Sequence, residues 1–404
     1  MKKKLLSILL MGVLIIGLTG CGKNNTSTSD SNLKNDTKVN KTDNLEKVEA
    51  VSVLATSENY AIVTGKDNET HIIDKDGVSQ GTIKNIAAVG HQINNNGYSY
   101  VLGESYNKIF DKEGNELFSS KSSESYYVGI SPDNYVIKSV KSSDFENGNS
   151  YTFQVVDMKG KMIREDVKKD LGTDANSSFS VTYLGENIYV ITDGGNDYLY
   201  NIKSGKSKKL ENNELDYYTC KSRKTDGKWM KCYSKITEDM IRVENTIIKE
   251  DLSTIKVDTY DLTMDSKYYY KSNEKSIYDY EGNKIKEVTS GDGLTAVFAK
   301  DNKYYVASGT YYYYVMNNKF EQDKEPVKLG RSVKTITKYG IIVNKDSSKR
   351  ESALYDFDGK LIKDFNNLYA YDPQDFIAKT FIDGVDNNTL PLNLNKAETI
   401  AIYK

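Results

Sequence analysis

The motif Ile72-Ile73-Asp74-Lys75-Asp76-Gly77 decides the fold, because it recurs along most of the chain. It consists of an apolar pair, Asp or Asn, one or two polar residues and Gly, followed by another short strand-forming run. Close copies stand at residues 109–114, 155–160, 277–282 and 354–359, and looser ones centre on Asn201, Asp251, Asn317 and Asn395. Asp starts a turn by bonding its own backbone, and Gly accepts a positive φ. Each motif therefore predicts a hairpin between two strands.

The spacing of these motifs predicts the architecture. They recur about every 40 residues, which is the period of a four-stranded propeller blade. The composition, with 32 Tyr, 28 Gly and only 4 Pro, also favours strands and turns. We therefore predict an all-β protein with a single β-propeller of about eight four-stranded blades, within a range of roughly seven to nine. The alternative is two β-sandwich domains divided near residue 211.

The first twenty residues have the pattern of a targeting signal. Three lysines precede an apolar stretch that ends in Leu18-Thr19-Gly20-Cys21. These four residues resemble the lipobox of bacterial lipoprotein precursors, and the chain as a whole resembles propeller-type bacterial surface lipoproteins. The resemblance implies cleavage after Gly20 and a diacylglyceryl group on Cys21. Two acyl chains anchor a protein stably, so we expect it at the extracytoplasmic face of the cell membrane.

Three regions follow from this pattern: a signal peptide at 1–20, a tether at 21–47 and the propeller at 48–404. The tether is rich in Asn, Ser, Thr and Lys with almost no apolar residue, so we expect it to be disordered and to let the propeller reach into the cell wall. The whole chain has a formal net charge of −2. Binding to a polyanion would therefore require a local basic patch.

The sequence offers little that is typical of a catalytic site. The chain has two histidines, His71 and His91, and contains no His-Glu-x-x-His motif. The Asp74 turn lacks the further acidic ligands that a calcium loop requires. We predict no enzyme activity, no cofactor and no metal site, with a hydrolase of wall glycans as a third alternative for function. We expect both histidines to be solvated strand residues.

One segment breaks the charge balance. Residues 202–235 contain ten basic and four acidic residues, with aromatic residues between them. Lysines beside aromatic rings suit a polyanion such as extracellular DNA or teichoic acid. The alternative is that these lysines only keep a blade rim soluble. The candidate polyanion-binding residues are Lys221, Arg223, Lys224, Lys228, Trp229 and Lys231.

The same segment predicts a hairpin around Asp226. With Asp226 at the apex, Cys220 faces Cys232 across the two strands. Facing residues of an antiparallel pair lie at separations that allow a disulfide. A disulfide and a pair of reduced, buried thiols are both compatible with this register.

Together these features predict a non-catalytic cell-surface lipoprotein that binds an extracellular polymer or wall-associated partners, with a role in a matrix or in adhesion. Its partners would be the membrane, through Cys21, a polyanion, and other surface proteins. The alternative is an extracytoplasmic ligand-sensing module that signals to a membrane partner.

Overall fold

The computed structural model describes residues 48–402 except 49, 76, 85–87, 104, 122–124, 142–150, 173–178, 212–213, 218–232, 289–292, 310–311, 330–331, 339, 347–350, 366–367, 372–376 and 382–397. Across these ranges the strands form nine antiparallel sheets, eight with four strands and one with three. In each four-stranded sheet the strands lie side by side in chain order, so each sheet is one continuous meander.

Sheets 1 to 4 cover the N-terminal half of the described chain. Sheet 1 contains β1 (Ala50–Thr56), β2 (Tyr60–Gly65), β3 (Thr70–Asp74) and β4 (Ser79–Ile83). Sheet 2 contains β5 (Ala88–Ile93), β6 (Ser99–Gly103), β7 (Tyr106–Phe110) and β8 (Glu116–Lys121). Sheet 3 contains β9 (Ser125–Val128), β10 (Tyr135–Lys141), β11 (Tyr151–Asp157) and β12 (Met162–Arg164). Sheet 4 contains β13 (Phe179–Gly185), β14 (Ile188–Asp193), β15 (Asn196–Asn201) and β16 (Ser207–Lys209).

Sheets 5 to 9 cover the remainder. Sheet 5 contains β17 (Ser234–Thr237), β18 (Met240–Val243), β19 (Thr246–Lys249) and β20 (Thr254–Lys256). Sheet 6 contains β21 (Leu262–Thr263), β22 (Tyr268–Lys271), β23 (Ser276–Asp279) and β24 (Lys284–Glu287). Sheet 7 contains β25 (Leu294–Lys300), β26 (Lys303–Ser308), β27 (Tyr312–Met316) and β28 (Val327–Lys328). Sheet 8 contains β29 (Val333–Thr337), β30 (Gly340–Asp346), β31 (Glu351–Tyr355) and β32 (Leu361–Phe365), and sheet 9 contains β33 (Leu368–Tyr371), β34 (Ile377–Phe381) and β35 (Glu398–Ile402).

Two short helices lie between strands. The helix α1 (Val167–Leu171) follows sheet 3; Asp166 caps its N-terminus and Gly172 ends it in the left-handed conformation. A single 3₁₀ turn spans Ser272–Glu274. In the ranges given above, no helix combines the length and the apolar character needed to cross a membrane.

The recurring motif forms the turn between the third and fourth strands of a sheet. In sheet 1 the amide of Gly77 donates to the carbonyl of Asp74 at 2.9 Å, and the Asp74 carboxylate accepts from the amide of Val78 at 3.1 Å. Gly77 has φ +78°, and the glycines of the other close copies have φ between +77° and +90°. The hairpins predicted at the close copies are therefore confirmed, and each joins the third and fourth strands of its sheet. The looser copy at Asn395 lies outside the described residues.

The apolar pair of the motif is buried on both faces of its sheet. Ile72 and Ile73 have no exposed surface, and the same holds for Ala61, Ile62 and Val63 on the neighbouring strand β2. Successive residues of a strand point to opposite faces, so adjacent buried residues require cover on both sides. The middle strands therefore lie between neighbouring sheets, which explains the apolar pair in place of simple alternation.

The hydrophobic core is divided among the gaps between sheets. A separate cluster fills each gap between consecutive sheets from sheet 1 to sheet 8. Tyrosine supplies much of the volume, with Tyr189, Tyr200, Tyr270 and Tyr313 almost completely buried. Sheets 2 to 7 are thus each packed against two neighbours, as in other repeat folds.

Contacts between first strands show how the sheets are joined. β1 contacts β5, β9 contacts β13, β21 contacts β25, and β25 contacts β29. β1 also contacts β34 and β35, so the first and last sheets meet. This closure covers the faces that the first and last sheets of an open row would expose. The predicted all-β propeller of about eight four-stranded blades is confirmed, and the two-sandwich alternative is not the observed arrangement.

Candidate central binding pocket

The turns between the first and second strands of sheets 1 to 3 share a second repeated pattern. Each begins with Ser or Asn and ends just before a Tyr three or four residues later. The starting side chain accepts a hydrogen bond from the amide of that Tyr, at 3.1 Å in each case: Ser57 with Tyr60, Asn94 with Tyr98, and Ser131 with Tyr135. The sequence contains this pattern, but it does not stand out there, because the spacing and residue types of the outer Asp-Gly motif are more regular.

Amide side chains connect these turns from sheet to sheet. Asn95 accepts a hydrogen bond from the amide of Glu58 at 2.9 Å, which joins sheets 1 and 2. The Asn94 amide group donates to the carbonyl of Ser131 at 3.0 Å, which joins sheets 2 and 3. Asn187 donates to the carboxylate of Asp133 at 2.9 Å, which joins sheets 3 and 4. One end of sheets 1 to 4 is therefore held together by side-chain hydrogen bonds.

A cavity of about 160 Å³ lies at this end, and we call it the central pocket. The strands β1, β5, β13 and β17 and their adjoining turns, with the turn after β9, supply its walls. Gln92 fixes the wall between sheets 2 and 3, because its amide group donates to the carbonyl of Ile130 at 3.3 Å and accepts from the amide of Ile130 at 3.1 Å. The pocket is therefore built from five consecutive sheets.

An ion pair crosses the central pocket. The Lys235 ammonium on β17 lies 2.6 Å from the Glu58 carboxylate in the turn after β1, although the two residues are 177 positions apart. The same ammonium lies 3.9 Å from the carboxylate of Glu186. The side chains of Lys235 and Glu186 are 14% and 7% exposed, so both charges are largely removed from water. Charges buried to this extent are stabilised by pairing.

Two tyrosine rings fix the segment of the pocket wall that contains Glu186. Tyr233 lies against the backbone of Gly185, where any Cβ would approach the ring to 2.5 Å. Its hydroxyl lies 3.5 Å from the Glu186 carboxylate. Tyr183 lies in the same way against Gly129 and meets Tyr233 edge-on, with ring centroids 6.5 Å apart. Glu186 itself has φ +48°, a conformation that is costly for a residue with a side chain.

Both histidines lie on strands, as expected, but His71 is buried and His91 is only partly exposed. His91 lines the central pocket, and burial lowers the pKa of its imidazole to about 4. His71 is 8% exposed, and its ring nitrogens lie 2.9 Å from the Asp67 carboxylate and 3.2 Å from the Ser79 hydroxyl. The expectation of a solvated side chain is therefore wrong for His71, because His71 lies on a strand whose faces are covered.

One group of residues has the composition of a metal site. Potential ligand atoms of Asp67, Glu69 and His71 lie within 4.8 Å of one another. The hydrogen bonds of the His71 ring and the one that Asp67 accepts from the amide of Glu69, at 3.0 Å, account for this arrangement as a turn next to β3. The group therefore gives no separate reason to assign a metal.

The predicted site residues lie outside the described residues. These are the lipidation residue Cys21, the polyanion candidates Lys221, Arg223, Lys224, Lys228, Trp229 and Lys231, and the cysteines Cys220 and Cys232. Their roles stay predictions.

The described part of the basic segment carries internal ion pairs. Lys203 lies 3.3 Å from Asp133, Lys235 pairs with Glu58, and Lys208 pairs with Glu214. Glu214 is partly buried, which opposes its ionisation, but hydrogen bonds from Lys208, from Thr254 and from the amide of Glu211 outweigh burial and lower its pKa to about 2. Three of the ten basic residues between 202 and 235 are thus used to join structural elements.

The chain is therefore a β-propeller, and its central pocket is lined by polar and charged residues. The sequence matches no protein-family model and no curated protein. Several solved structures are similar at low identity. The computationally designed Ika8 protein has a TM-score of 0.34 and 13% identity, over 88% of this chain and 97% of its own.

Two natural proteins give comparable values. A structure described as the eukaryotic initiation factor has a TM-score of 0.43 and 11% identity, over 83% of this chain and 90% of its own. BamB from Moraxella catarrhalis has a TM-score of 0.28 and 10% identity, over 63% of this chain and 82% of its own. TM-scores this low support no statement about function.

Proposed function

We propose that the protein is a non-catalytic, lipid-anchored surface protein whose propeller binds an extracellular polymer or wall-associated partners. The order of three segments carries the proposal: a lipobox-like sequence ending at Cys21, a polar tether to residue 47, and a propeller that begins at β1. Two acyl chains on Cys21 would hold the protein at the outer face of the membrane. The tether would then present the propeller to the wall layer.

Metabolic labelling tests the anchor. Cells fed a labelled fatty acid should incorporate label into the wild-type protein, which should remain with the membrane fraction. Cys21→Ala should be unlabelled and released into the medium, whereas Cys220→Ala, the matched control, should behave like wild type. A wild-type protein that takes up no label would contradict the anchor.

A polyanion such as extracellular DNA or teichoic acid is the proposed polymer. Lys203, Lys208 and Lys235 already pair with carboxylates. We therefore assign the binding charges to the five cations among the six candidates between residues 221 and 231, where Trp229, the sixth, would add a stacking surface. If three of these cations contact phosphates, the affinity for duplex DNA should fall about 40-fold between roughly 50 and 200 mM salt.

The matched experiment exchanges two sets of three cations. Replacement of Lys221, Arg223 and Lys231 by Ser should remove most of the salt-dependent affinity for DNA and for teichoic acid and leave thermal stability nearly unchanged. Replacement of the exposed Lys286, Lys319 and Lys328 by Ser changes the net charge equally and should leave the affinity close to wild type. Equal losses in both variants would argue for non-specific charge attraction and against a defined site.

Ligand sensing is the second candidate function, and the central pocket is the observation that favours it. Its walls are fixed by hydrogen bonds between sheets, and it holds oppositely charged side chains. Ligand sites in proteins are commonly concave, preformed and supplied with a few oriented polar groups. A ligand bound there would be surrounded by several sheets at once.

A further inference from the structure

The central pocket contains both signs of charge at short range. The Lys235 ammonium lies 2.6 Å from the Glu58 carboxylate and 3.9 Å from that of Glu186. The three side chains come from β17, from the turn after β1 and from the turn after β13, so three different sheets bring them together. Charges cost several kcal/mol each, roughly, to remove from water. A cluster of this kind therefore lowers the stability of the folded protein if its only role is to fill space between the sheets.

Glu186 is held in place at a cost to the backbone. It is 5% exposed, and its φ of +48° belongs to the left-handed region, which costs a residue with a Cβ about 1–3 kcal/mol. The ring of Tyr233 packs against the backbone of the preceding Gly185, and the amide group of the following Asn187 donates a hydrogen bond to the carboxylate of Asp133. Both neighbours are thus fixed by other sheets, so the carboxylate of Glu186 is preorganised at the pocket wall.

Glu58 is the more exposed of the two carboxylates. Both residues lie in turns, but the side chain of Glu58 is 27% exposed, against 7% for Glu186. Rotation of the Glu58 side chain towards solvent would uncover the Lys235 ammonium without moving the backbone. Glu58 therefore occupies the position that the carboxylate of a ligand would take.

We propose that the central pocket binds a small zwitterion with the chemistry of an α-amino acid, with its carboxylate on Lys235 and its ammonium on Glu186. Such a ligand replaces Glu58 at Lys235 and also pairs with Glu186, so each buried charge has a partner of opposite sign. A simple carboxylate or a simple amine can make only one of these two ion pairs, and a buried charge without a partner is unfavourable.

The pocket has room for a ligand of this kind. Its volume is about 160 Å³, well above the roughly 10–15 Å³ that one water molecule requires on the same measure. Glycine and alanine, the smallest α-amino acids, are therefore small enough to enter it. The proposal does not depend on polyanion binding, and the variants that test that function leave Glu58, Glu186 and Lys235 unchanged.

Calorimetric titration of the whole propeller with glycine or alanine tests the site. Wild type should show saturable binding to these ligands and none at the same concentrations to acetate, to methylammonium or to the neutral N-acetylglycinamide. Lys235→Met and Glu186→Gln should each abolish the heat signal. Lys203→Met, which breaks an ion pair that does not line the pocket, should bind like wild type.

The Glu58→Gln variant should bind the ligand more tightly than wild type, and a misfolded protein would not show this change. Removal of the internal competitor for Lys235 should tighten glycine or alanine binding about tenfold, and this result would support the site even if the other pocket variants fail to fold. Glycine and alanine that do not bind the folded wild type, acetate or methylammonium that binds as well as alanine, or Glu58→Gln binding more weakly than wild type would each overturn the proposal.

Discussion

His91 lies on β5 with its imidazole against the central pocket, where burial lowers its pKa to about 4 from an ordinary value of 6.5. The unfolded chain therefore takes up a proton at this residue at a higher pH than the folded protein. A group whose pKa is lowered on folding contributes stability above its unfolded pKa and loses it as the pH falls. We expect thermal stability to decline as the pH falls from about 6.5 towards 4.

Two substitutions check this expectation at the level of the single residue. His91→Gln should flatten the decline between about pH 6.5 and 5, a window that lies above the usual titration of carboxylates. His71→Gln removes the other histidine of the chain and should leave the His91 contribution in place. Thermal unfolding followed by circular dichroism across this window is the measurement, and an unchanged slope in His91→Gln would contradict the assignment.

At the level of the element, a glycine in or next to an outer turn is required for one or both of two reasons: a positive φ, or the close approach of a neighbouring sheet. Gly114 has φ +79°, and a Cβ there would lie 2.5 Å from the carbonyl oxygen of Thr82 in the neighbouring sheet. Gly282 has φ +90° with no heavy atom within 4 Å of such a Cβ. Gly81 lies on β4, and a Cβ there would meet the backbone of Glu113 at 2.1 Å. These three glycines separate the cost of the turn from the cost of packing between sheets.

Alanine at each position should therefore destabilise to a different extent. Gly282→Ala should cost about 1–2 kcal/mol, because only the left-handed backbone is penalised. Gly81→Ala should cost about 1–3 kcal/mol through overpacking alone. Gly114→Ala should cost more than either, since it carries both penalties. Denaturant unfolding measures the three values, and a Gly114 variant no less stable than the Gly282 variant would contradict the close approach of sheets 1 and 2.

At the level of the whole molecule, β35 closes the row of sheets. It pairs with β34 from Ile377–Ile402 to Phe381–Glu398, and it contacts β1 of the first sheet. A chain that ends at Phe381 lacks this strand, so it exposes the edge of β34 and one side of β1. We expect a lower unfolding midpoint, by several degrees, and faster proteolysis than in a control chain that ends at Ile402. Equal stability of the two chains would show that the contact contributes nothing to closure.

The repeated outer turn is local information, so the sequence alone determines it. Asp74 and Gly77 make their hydrogen bonds within a few residues of one another, and the same applies to each later copy. Because these turns recur at the blade period, the all-β class and the approximate number of blades follow without tertiary information. The apolar pair also implies that both faces of the strand are covered, although it does not say by which residues.

Only the tertiary structure decides the central pocket. Glu58, Glu186 and Lys235 lie in three sheets, and nothing in their local sequence distinguishes them from the many other charged residues of this chain. Their meeting depends on the order of the sheets and on which ends of the inner strands converge. The same holds for His91, whose lowered pKa comes from burial by neighbouring sheets. Turns arise from neighbours in the chain, whereas the charges of the pocket are brought together by packing between distant segments, which no local pattern records.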